Sequence, residues 1–415
     1  MSNVTVLTAE TTDILQRLTL FITTEQGAQA VTALNSHMEQ PRYQLGFTCV
    51  LEQDGVLVGY ALLRHVRWHF GVVSLDVGMI EVLYINPVHY SQHLLEALLY
   101  GLFRVCYDNA IPLVTIQGNS ALLESLGFAP YRLSALAWID VTQQTEPKSV
   151  HQLQVYSIDR LDECAALYES NYRTSALTEI RVAADWRMWG EAESHIHVLE
   201  DTQGRTLAYA VQQIQSSSGE LQIVEAAAAD VGVATSLIDH LQQYAHTHTA
   251  TRIACALPLA HPVTQAVLHR GGTTHIHTQL QPNGATTTLV DLAGVIDLSM
   301  ALRALQTELE HRLSMSHYAT WNGSIQVVLA RQQITLAVAN GQITIAEEIA
   351  PAQIWVHLRS LAATAQLLLG YRTSADLRAN GMLQCTDTAL GLLDILFPAV
   401  ISYGLPTDWL VNQNM

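Results

Sequence analysis

Two kinds of hydrophobic pattern meet between Val77 and Leu99. Residues 79–85 form a short, almost continuous apolar run, which predicts a buried strand. After Pro87 the pattern changes to leucines spaced three or four residues apart, which predicts one face of an amphipathic helix. These leucines are Leu94, Leu95, Leu98, Leu99 and Leu102. The stretch therefore predicts a strand, a turn marked by proline and a helix.

Shorter patterns predict the elements on either side of this stretch. Residues 4–7 predict a first strand. The apolar runs 46–51 and 56–66 flank Asp54-Gly55, a pair typical of a two-residue hairpin turn. After the leucine-rich helix, residues 112–117 predict another buried strand. The order of elements indicates a mixed α/β domain.

The same order of elements then starts again. Residues 141–150 are polar and contain a proline, which indicates a domain boundary. Beyond them the pattern of strands and helices recurs at a period of roughly 145 residues, which indicates a tandem repeat. The segments that carry the repeat are 159–169, 195–199, 205–213, 220–228, 233–244 and 252–257, with a last helix after His261-Pro262.

A third pattern begins near Asp291. Residues 292–312 show helical spacing, and three apolar runs after them predict strands, the last two joined by the turn sequence Asn340-Gly341. Residues 354–369 predict a long apolar helix that Gly370 ends. We therefore predict an α/β (α+β) protein with three domains: 1–146, 147–290 and 291–415.

The composition fits a globular chain, since 49% of its 415 residues are apolar. The formal net charge is −17, and Lys148 is the only lysine. This charge argues against sequence-independent binding to nucleic acid, which requires basic side chains to neutralise phosphates. The same charge favours a small cationic amine as a binding partner.

The cysteines and the N-terminal residues bear on location. Five cysteines are spread along the chain without a Cys-x-x-Cys pair, which suits free thiols in a reducing compartment. Residues 1–13 contain neither a basic nor an apolar leader segment, and no apolar run reaches the roughly 18 residues that a membrane span needs. We therefore expect a cytoplasmic protein with no membrane partner. The cysteines are Cys49, Cys106, Cys164, Cys255 and Cys385.

The strand, turn and helix between Val77 and Leu99 resemble the fourth strand and following helix of the GNAT superfamily of N-acetyltransferases. Members carry Gln/Arg-x-x-Gly-x-Gly/Ala there, and the loop amides and the helix N-terminus hold the pyrophosphate of acetyl-CoA. The matching positions in this chain are Tyr90, His93 and Leu95. Since glycine leaves room for a phosphate near the backbone, we expect the branched Leu95 to crowd that approach.

The resemblance implies acetyl-CoA as the cofactor, with a degenerate phosphate loop. A register shifted by two residues places Gln92 at the first motif position and Ala97 at the last, but it leaves Leu95 at the central glycine. We prefer the first register because it keeps the match of Leu98-Leu99. The cofactor-binding positions that the resemblance implies are Val82, Leu83, Tyr84, Ser91, Gln92, His93, Leu94 and Asn119.

The resemblance also implies catalytic positions. Many relatives have a tyrosine four residues before Gly127-Phe128, and it protonates the departing CoA thiolate. This chain has Leu123 at that position, with Tyr131 nearby as an alternative. Glu81 corresponds to a carboxylate that in some members removes the proton of the amine through water. In active relatives the C-terminal carboxylate, here that of Met415, serves as a base.

The end of the chain resembles the C-terminal sterol-carrier-protein-like domain of the enhanced intracellular survival (Eis)-like family. The resemblance rests on the run LLLGYRTSADL, the predicted helix 388–396 with Phe397-Pro398, and Asp408-Trp409. Two GNAT domains followed by this domain are the arrangement of that family. The resemblance implies acetylation of amines, including aminoglycosides and lysine side chains, and association into a homo-oligomer.

Three functions compete on this sequence. The first is an acetyl-CoA-dependent N-acetyltransferase that tolerates the altered loop, and the second is a non-catalytic descendant, a pseudoenzyme that binds a small ligand or acts as a scaffold. The third is a lipid carrier that acts through the last domain, where the apolar helix 354–369 either lines a lipid tunnel or packs as a core helix on three strands. Histidine pairs spaced two apart could face a metal, but no carboxylate or cysteine completes a ligand set, so we predict no metal site. The pairs are His195 and His197, His246 and His248, and His275 and His277.

Overall fold

The computed structural model describes residues 3–40, 42–118, 120–132, 134–141, 149–173, 177–190, 195–215, 219–255, 257–277, 290–330, 332–347 and 352–400. The described chain divides into two units. The first unit contains the residues up to 131 and those from 290 to 400, and the second contains residues 132–277.

Strands and helices follow one another along the chain in three stretches. The first is β1 (Val4–Thr8), α1 (Thr12–Glu25), α2 (Ala28–Met38), β2 (Thr48–Gln53), β3 (Val56–Phe70), β4 (Val73–Ile85), α3 (Gln92–Asp108), β5 (Leu113–Gly118), α4 (Ser120–Glu124) and β6 (Ala129–Pro130). The second is β7 (Ser134–Asp140), β8 (Gln152–Val155), α5 (Leu161–Tyr172), β9 (Thr178–Glu179), α6 (Ala183–Gly190), β10 (Ile196–Glu200), β11 (Thr206–Gln215), β12 (Glu220–Ala228), α7 (Val231–Thr247), β13 (Arg252–Cys255), α8 (Pro262–His269) and β14 (Thr273–His277). The third is β15 (Val290–Val295), α9 (Leu298–Ser314), β16 (Gly323–Leu329), β17 (Gln332–Ala339), β18 (Gln342–Ala346), β19 (Ile354–Leu358), α10 (Leu361–Leu368), α11 (Ser374–Ala379), β20 (Leu383–Cys385) and α12 (Asp387–Leu396).

The first sheet has the strand order β1-β2-β3-β4-β5-β15-β6. Strands β1 to β4 are antiparallel neighbours, while β4 and β5 run parallel. The predicted hairpin turn is confirmed, because Asp54 and Gly55 have φ of +52° and +81° between β2 and β3. The leucine face of α3 packs in one core of this unit, and α1 and α2 pack in another against β2 and β3.

The second sheet has the strand order β14-β7-β13-β12-β11-β10-β8 and repeats the plan of the first. In each sheet an antiparallel hairpin leads to a long strand, then to a helix of 17 residues, α3 or α7, and then to a parallel strand. The predicted tandem of mixed sheets is therefore confirmed.

The first sheet contains a strand from the third stretch, and the second sheet contains a strand that precedes the polar run 141–150. Strand β7 pairs with β13 and β14 in the second sheet, and β15 pairs with β5 and β6 in the first. The chain passes from the first unit to the second after Tyr131, ahead of the polar run 141–150. Backbone pairing accepts strands from any distance along the chain, so the local pattern does not reveal such an exchange.

The third sheet has the strand order β18-β17-β16-β19-β20 and belongs to the first unit. Asn340-Gly341 forms the predicted turn, with φ of +53° and +79°. The prediction of one helix over 354–369 is wrong, because Ile354–Leu358 is a strand parallel to β16 and Ser360 caps α10 after it. A short, largely apolar run has no period that separates a strand from a buried helix.

Helix α9 of the third stretch packs a buried carboxylate onto the turn between β3 and β4. Glu308 Oε2 accepts a hydrogen bond from Val72 N at 2.7 Å, and its Oε1 lies 2.5 Å from Arg312 Nε. Gly71 in this turn has φ of +59°, and a Cβ there would overlap the Glu308 carboxylate. Glycine is therefore required at this position for two reasons, backbone conformation and space.

Candidate functional site

The candidate site begins where β4 and β5 separate. Their parallel pairing joins Val77–Ile80 to Leu113–Ile116 and ends there. Strand β4 continues to Ile85, whereas Gln117 and Gly118 at the end of β5 pair with β15 on the far side. The two strands therefore diverge beyond Ile80. We call the opening beside residues 81–85 the β4 slot.

A β-bulge lies at the head of the β4 slot. Leu62 on β3 pairs with Val82, and the next residue, Leu63, pairs with Ile80, so Glu81 is an extra residue in β4. A bulge bends its strand, increases the local twist and re-aims side chains, and bulges are frequent beside active sites. The bulge accounts for the departure of β4 from β5 at this point.

The backbone edge of β4 faces the slot with hydrogen-bonding groups. Asn86 N donates to Val58 O at 2.8 Å. In an antiparallel pair every second residue turns its N–H and C=O groups away from the neighbouring strand. Counted from Asn86, the residues of β4 that do so are Leu83 and Ile85. No partner for these groups lies among the described residues. An extended ligand with amide groups would pair with this edge as a strand does. The predicted cofactor residues on the strand are Val82, Leu83 and Tyr84.

The loop after β4 leads to the N-terminus of α3. Ser91 is the N-cap residue, and its hydroxyl accepts a hydrogen bond from Leu94 N at 3.4 Å. Gln92 and His93 follow it and are exposed. The N–H groups of the first helical turn have no acceptor within the helix, so they present the positive end of the helix dipole. These predicted residues therefore form an exposed site suited to an anion.

Leu95 does not obstruct this helix N-terminus. Its side chain is 4% exposed and packs with Leu94 and Leu98 in the core under α3. The structure thus corrects the expected crowding of the loop by Leu95, because the side chain points into the core. The loop still has no permanently charged basic side chain, since residues 86–95 include histidines but neither lysine nor arginine.

Leu123 lies on α4, where relatives of the resembled family carry a tyrosine. Its side chain is buried, and its Cδ1 would lie 2.8 Å from a Cβ placed on Gly118. Tyr131 is also buried, and its ring stacks on that of Trp68 with centroids 5.6 Å apart. Leu123 supplies no proton, and Tyr131 has a packing contact. Two further predicted residues lie outside the described part of the chain: Asn119 and Met415.

Glu81 holds the centre of a buried polar cluster. Its Oε2 lies 2.5 Å from His37 Nδ1, and its Oε1 lies 2.7 Å from Arg64 Nε. Gln40 Nε2 donates to both carboxylate oxygens, at 3.2 and 3.4 Å. The side chains of Glu81 and His37 are 5% and 3% exposed. We call these four residues the Glu81 cluster.

The Glu81 carboxylate is ionised in this cluster. Burial raises its pKa, but the hydrogen bond from His37 and the charge of Arg64 lower it by more, so the pKa lies below its usual value. A carboxylate that ionises so readily is a weak proton acceptor at neutral pH. The geometry therefore suits Glu81 to orient His37.

The partners of Glu81 come from two separate parts of the fold, the end of α2 and β3, and sequence reasoning missed them. His37 lies in the last turn of α2, Gln40 follows that helix, and Arg64 lies on β3. The one local signal is that His37 follows Leu34 on the buried stripe of α2, where a polar residue requires a partner. The pattern does not show which carboxylate it meets.

The second sheet contains a counterpart of the β4 slot. The pairing of β12 with β13 covers Glu220–Ile223 and ends there. Val211 on β11 pairs with Glu225 and Gln212 with Ile223, so Val224 is the bulged residue. The bulge therefore follows directly on the end of the parallel pairing in both sheets, at Glu81 and at Val224.

Side chains of α5 close this second slot. Asn171 Nδ2 donates to Ala228 O at 3.0 Å, and Asn171 Oδ1 accepts from Ala228 N at 3.2 Å. Tyr172 OH donates to Ala226 O at 2.6 Å. The exposed edge that β4 presents to its slot is thus already paired in β12.

Charge at the second slot also disfavours an anionic cofactor. Asp230 is the N-cap residue of α7 and accepts from Val233 N at 2.8 Å. Its carboxylate occupies the place that a phosphate would need at the helix N-terminus. Nearby Glu225 is held by both guanidinium nitrogens of Arg181, at 3.0 and 2.6 Å, and by Tyr209 OH at 2.7 Å. The second unit repeats the fold with its slot filled.

Two other classes of site find no support among the described residues. No group of three or more histidine, cysteine, aspartate or glutamate side chains in that part of the chain could hold a metal ion. None of the described helices is long and apolar enough to cross a membrane.

Comparison with known proteins gives structural neighbours. No family model matches the chain, and no curated protein matches its sequence. The chain is similar in structure to a GCN5-related N-acetyltransferase from Anabaena variabilis, with TM-score 0.71, 13% identity, and 96% of this chain and 98% of that chain covered.

Two further neighbours give the same result. A GCN5-related N-acetyltransferase from Kribbella flavida has TM-score 0.69 and 14% identity, with 97% of this chain and 98% of that chain covered. Eis1 from Mycobacterium abscessus has TM-score 0.62 and 14% identity, with 97% of this chain and 98% of that chain covered. The chain therefore has the tandem GNAT fold that these proteins share, and the predicted resemblance is confirmed for the fold.

Proposed function

We propose that the protein is an acyl-CoA-dependent N-acyltransferase whose cofactor site is the β4 slot. The contrast between the two slots carries the proposal. The fold builds the same divergence of strands twice, and side chains of α5 fill it in the second unit. In the first unit the backbone edge of β4 stays unpaired among the described residues. An unpaired edge beside an open helix N-terminus suits a ligand with amide groups at one end and phosphates at the other.

Acetyl-CoA has this chemistry. Its pantetheine amides would pair with the N–H and C=O groups of Leu83 and Ile85, and its pyrophosphate would meet the first amides of α3 at Gln92 and His93. No lysine or arginine in residues 86–95 adds charge to this contact. We therefore expect a weaker affinity than a loop with a basic residue would give.

The reaction would be attack of an amine on the thioester carbonyl. The amine must lose a proton as the new C–N bond forms, and the CoA thiolate must leave as the C–S bond breaks. Leu123 gives the thiolate no proton, so solvent must supply it. A positioned acid typically contributes a factor of about 10² to 10⁴ in rate, and we expect slow turnover for this reason.

The acceptor class follows from charge. A net charge of −17 favours a small cationic amine over an acidic acceptor. The second candidate, a non-catalytic protein that binds a small ligand in the same slot, is favoured by Leu123. Homo-oligomer formation, the cytoplasmic location and the sterol-carrier-like character of the third domain stay predictions.

Calorimetric titration of the purified full chain with acetyl-CoA and with CoA tests the slot. His93→Glu adds a negative charge at the exposed first turn of α3, and we expect it to weaken binding by about tenfold or more, or ~1.4 kcal/mol. Tyr100→Glu is the matched control, since Tyr100 is 65% exposed on the same helix. It lies about 10 Å further along the helix axis, which exceeds the screening length of about 8 Å at 0.15 M salt.

The outcomes separate the candidates. Binding that His93→Glu weakens and Tyr100→Glu leaves alone supports the proposed site. Release of CoA on addition of spermidine, followed by chromatography, then distinguishes an enzyme from a ligand-binding protein. No heat at millimolar acetyl-CoA would rule out the proposed function.

A further inference from the structure

Two buried polar atoms of the Glu81 cluster have no hydrogen-bond partner in the described structure. They are His37 Nε2 and Gln40 Oε1. Both belong to side chains whose other polar atom is bound to the Glu81 carboxylate. A buried polar atom without a partner destabilises the fold, so two of them beside one carboxylate indicate a group that binds there.

Glu81 fixes the chemical character of both atoms. Because the carboxylate only accepts hydrogen bonds, His37 donates Nδ1–H to it, and a neutral ring then has Nε2 as an acceptor. Gln40 must turn its Nε2 to Glu81, because the opposite orientation would set its amide oxygen against the carboxylate. The remaining atom, Oε1, is an acceptor as well. The cluster therefore presents two acceptors and suits a group rich in N–H, such as an amine.

We propose that His37 is the general base that takes the proton from the amine acceptor, with Glu81 as its positioning residue. The proposal rests on the proposed function for its acyl donor. Glu81 is the bulged residue at the head of the β4 slot, so the carboxylate that orients His37 lies on the strand that would hold the thioester. The amine reacts in its neutral form, after losing one proton to solvent, and as its nitrogen bonds to the thioester carbon a second proton passes to His37 Nε2. The C–S bond breaks, the thiolate takes a proton from water, and the imidazolium returns its proton to solvent.

The charges around His37 fit this role. Glu81 on β4 and Arg64 on β3 form an ion pair, so the site has no net charge when the imidazole is neutral. The Tyr43 ring meets the His37 ring edge-on at 5.2 Å, and burial raises the pKa of Tyr43, which keeps it uncharged. When the imidazole takes up a proton, the carboxylate 2.5 Å from Nδ1 stabilises the positive charge. Histidine is the side chain that exchanges protons most readily near neutral pH.

The chain offers a matched control for this pair. His65 Nε2 lies 2.8 Å from Asp76 Oδ1, which makes a second histidine–carboxylate pair on β3 and β4. That pair is more exposed, at 22% and 40% for the two side chains. His65→Gln therefore removes a similar interaction without touching the Glu81 cluster.

The first experiment needs no turnover. The ¹⁵N signals of histidine in the labelled full chain are recorded with and without spermidine, and the signal lost in His37→Gln identifies His37. We expect Nδ1 to carry the proton, Nε2 to be bare, and spermidine to shift the Nε2 signal. A protonated Nε2, or no shift at saturating spermidine, would overturn the proposal even where acetyl-CoA binding supports the proposed function.

The second experiment measures kcat/KM for acetyl-CoA and spermidine from pH 5 to 9. We expect His37→Gln to lower kcat/KM by about 10²-fold or more and to remove the fall in rate on the acid side, with acetyl-CoA affinity unchanged. Glu81→Gln should lower the rate less and shift that fall, and His65→Gln should match the wild type. If acetyl-CoA binds and His37→Gln keeps the wild-type rate and pH profile, His37 is not the base. If acetyl-CoA does not bind, the proposed function fails, and the spermidine titration alone then tests whether an amine binds at His37.

Discussion

Removal of the Asn171 side chain should open the filled slot of the second unit. In Asn171→Ala the N–H and C=O of Ala228, which is 1% exposed, both lose their partner. A buried group left unpaired costs about 1–3 kcal/mol, so the two together cost about 2–6 kcal/mol. If the N–H alone accounts for 1–3 kcal/mol, its exchange with solvent should quicken by roughly 5- to 150-fold, since 1.4 kcal/mol is tenfold.

Amide hydrogen exchange followed by mass spectrometry on peptides that cover β12 measures this effect. A local probe is needed because a chain of several domains does not unfold in one transition. Asn109→Ala is the control, since its side chain makes one hydrogen bond, to Val105 O at 2.9 Å, at the end of α3. Exchange in β12 within twofold of the wild type would refute the reasoning, because the edge would then not depend on Asn171. The contrast between the two slots would lose its basis.

Three further predictions concern residues that the structure explains. Gly71→Ala should lower the melting temperature of the first unit, since it strains a positive φ and displaces the Glu308 carboxylate. A change under 1 °C in calorimetry would contradict the overlap between a Cβ at residue 71 and that carboxylate. Leu95→Gly removes a core side chain, so it should destabilise the fold by about 3–5 kcal/mol in urea titration without improving CoA affinity. A gain in CoA affinity would restore the hypothesis that Leu95 crowds the loop. Burial lowers the pKa of His261 to about 3. As the pH falls below about 6.5, the unfolded chain therefore binds a proton at this residue before the folded chain does. The free energy of unfolding should then fall by roughly 1.4 kcal/mol for each pH unit. His261→Asn keeps a capping side chain, and the urea midpoint plotted against pH should lose that slope, while an unchanged slope would assign it to other groups.

The local features of the fold were predictable from the sequence. Asp54-Gly55 specifies a turn by its backbone preferences, and the leucines of α3 specify a buried face by their spacing, so both follow from a few neighbouring residues. The tandem repeat followed from the recurrence of these patterns. The apolar run 354–369 was misassigned because a strand and a short buried helix share its composition.

The features that decide the site were not predictable in this way. The Glu81 cluster joins His37, Gln40 and Arg64 through contacts between residues far apart in the sequence, and a single sequence does not record which side chains meet. The same holds for Asn171, whose carboxamide pairs with a backbone edge 57 residues away. The resemblance to GNAT proteins indicated β4 and the start of α3 as the cofactor site, which stays a prediction, and the difference between the two slots is visible only in the hydrogen bonds.

The placement of β15 has a consequence for synthesis. Strand β6 ends at Pro130, but the strand that separates it from β5 begins at Val290. At about 5–20 residues per second, the ribosome needs roughly 8–30 s to make the intervening chain. During that interval β5 has an unpaired edge, the kind of surface to which chaperones and other nascent chains adhere. The first sheet therefore cannot be completed while residues 1–130 emerge, and an early stop of translation would leave β5 with that edge exposed.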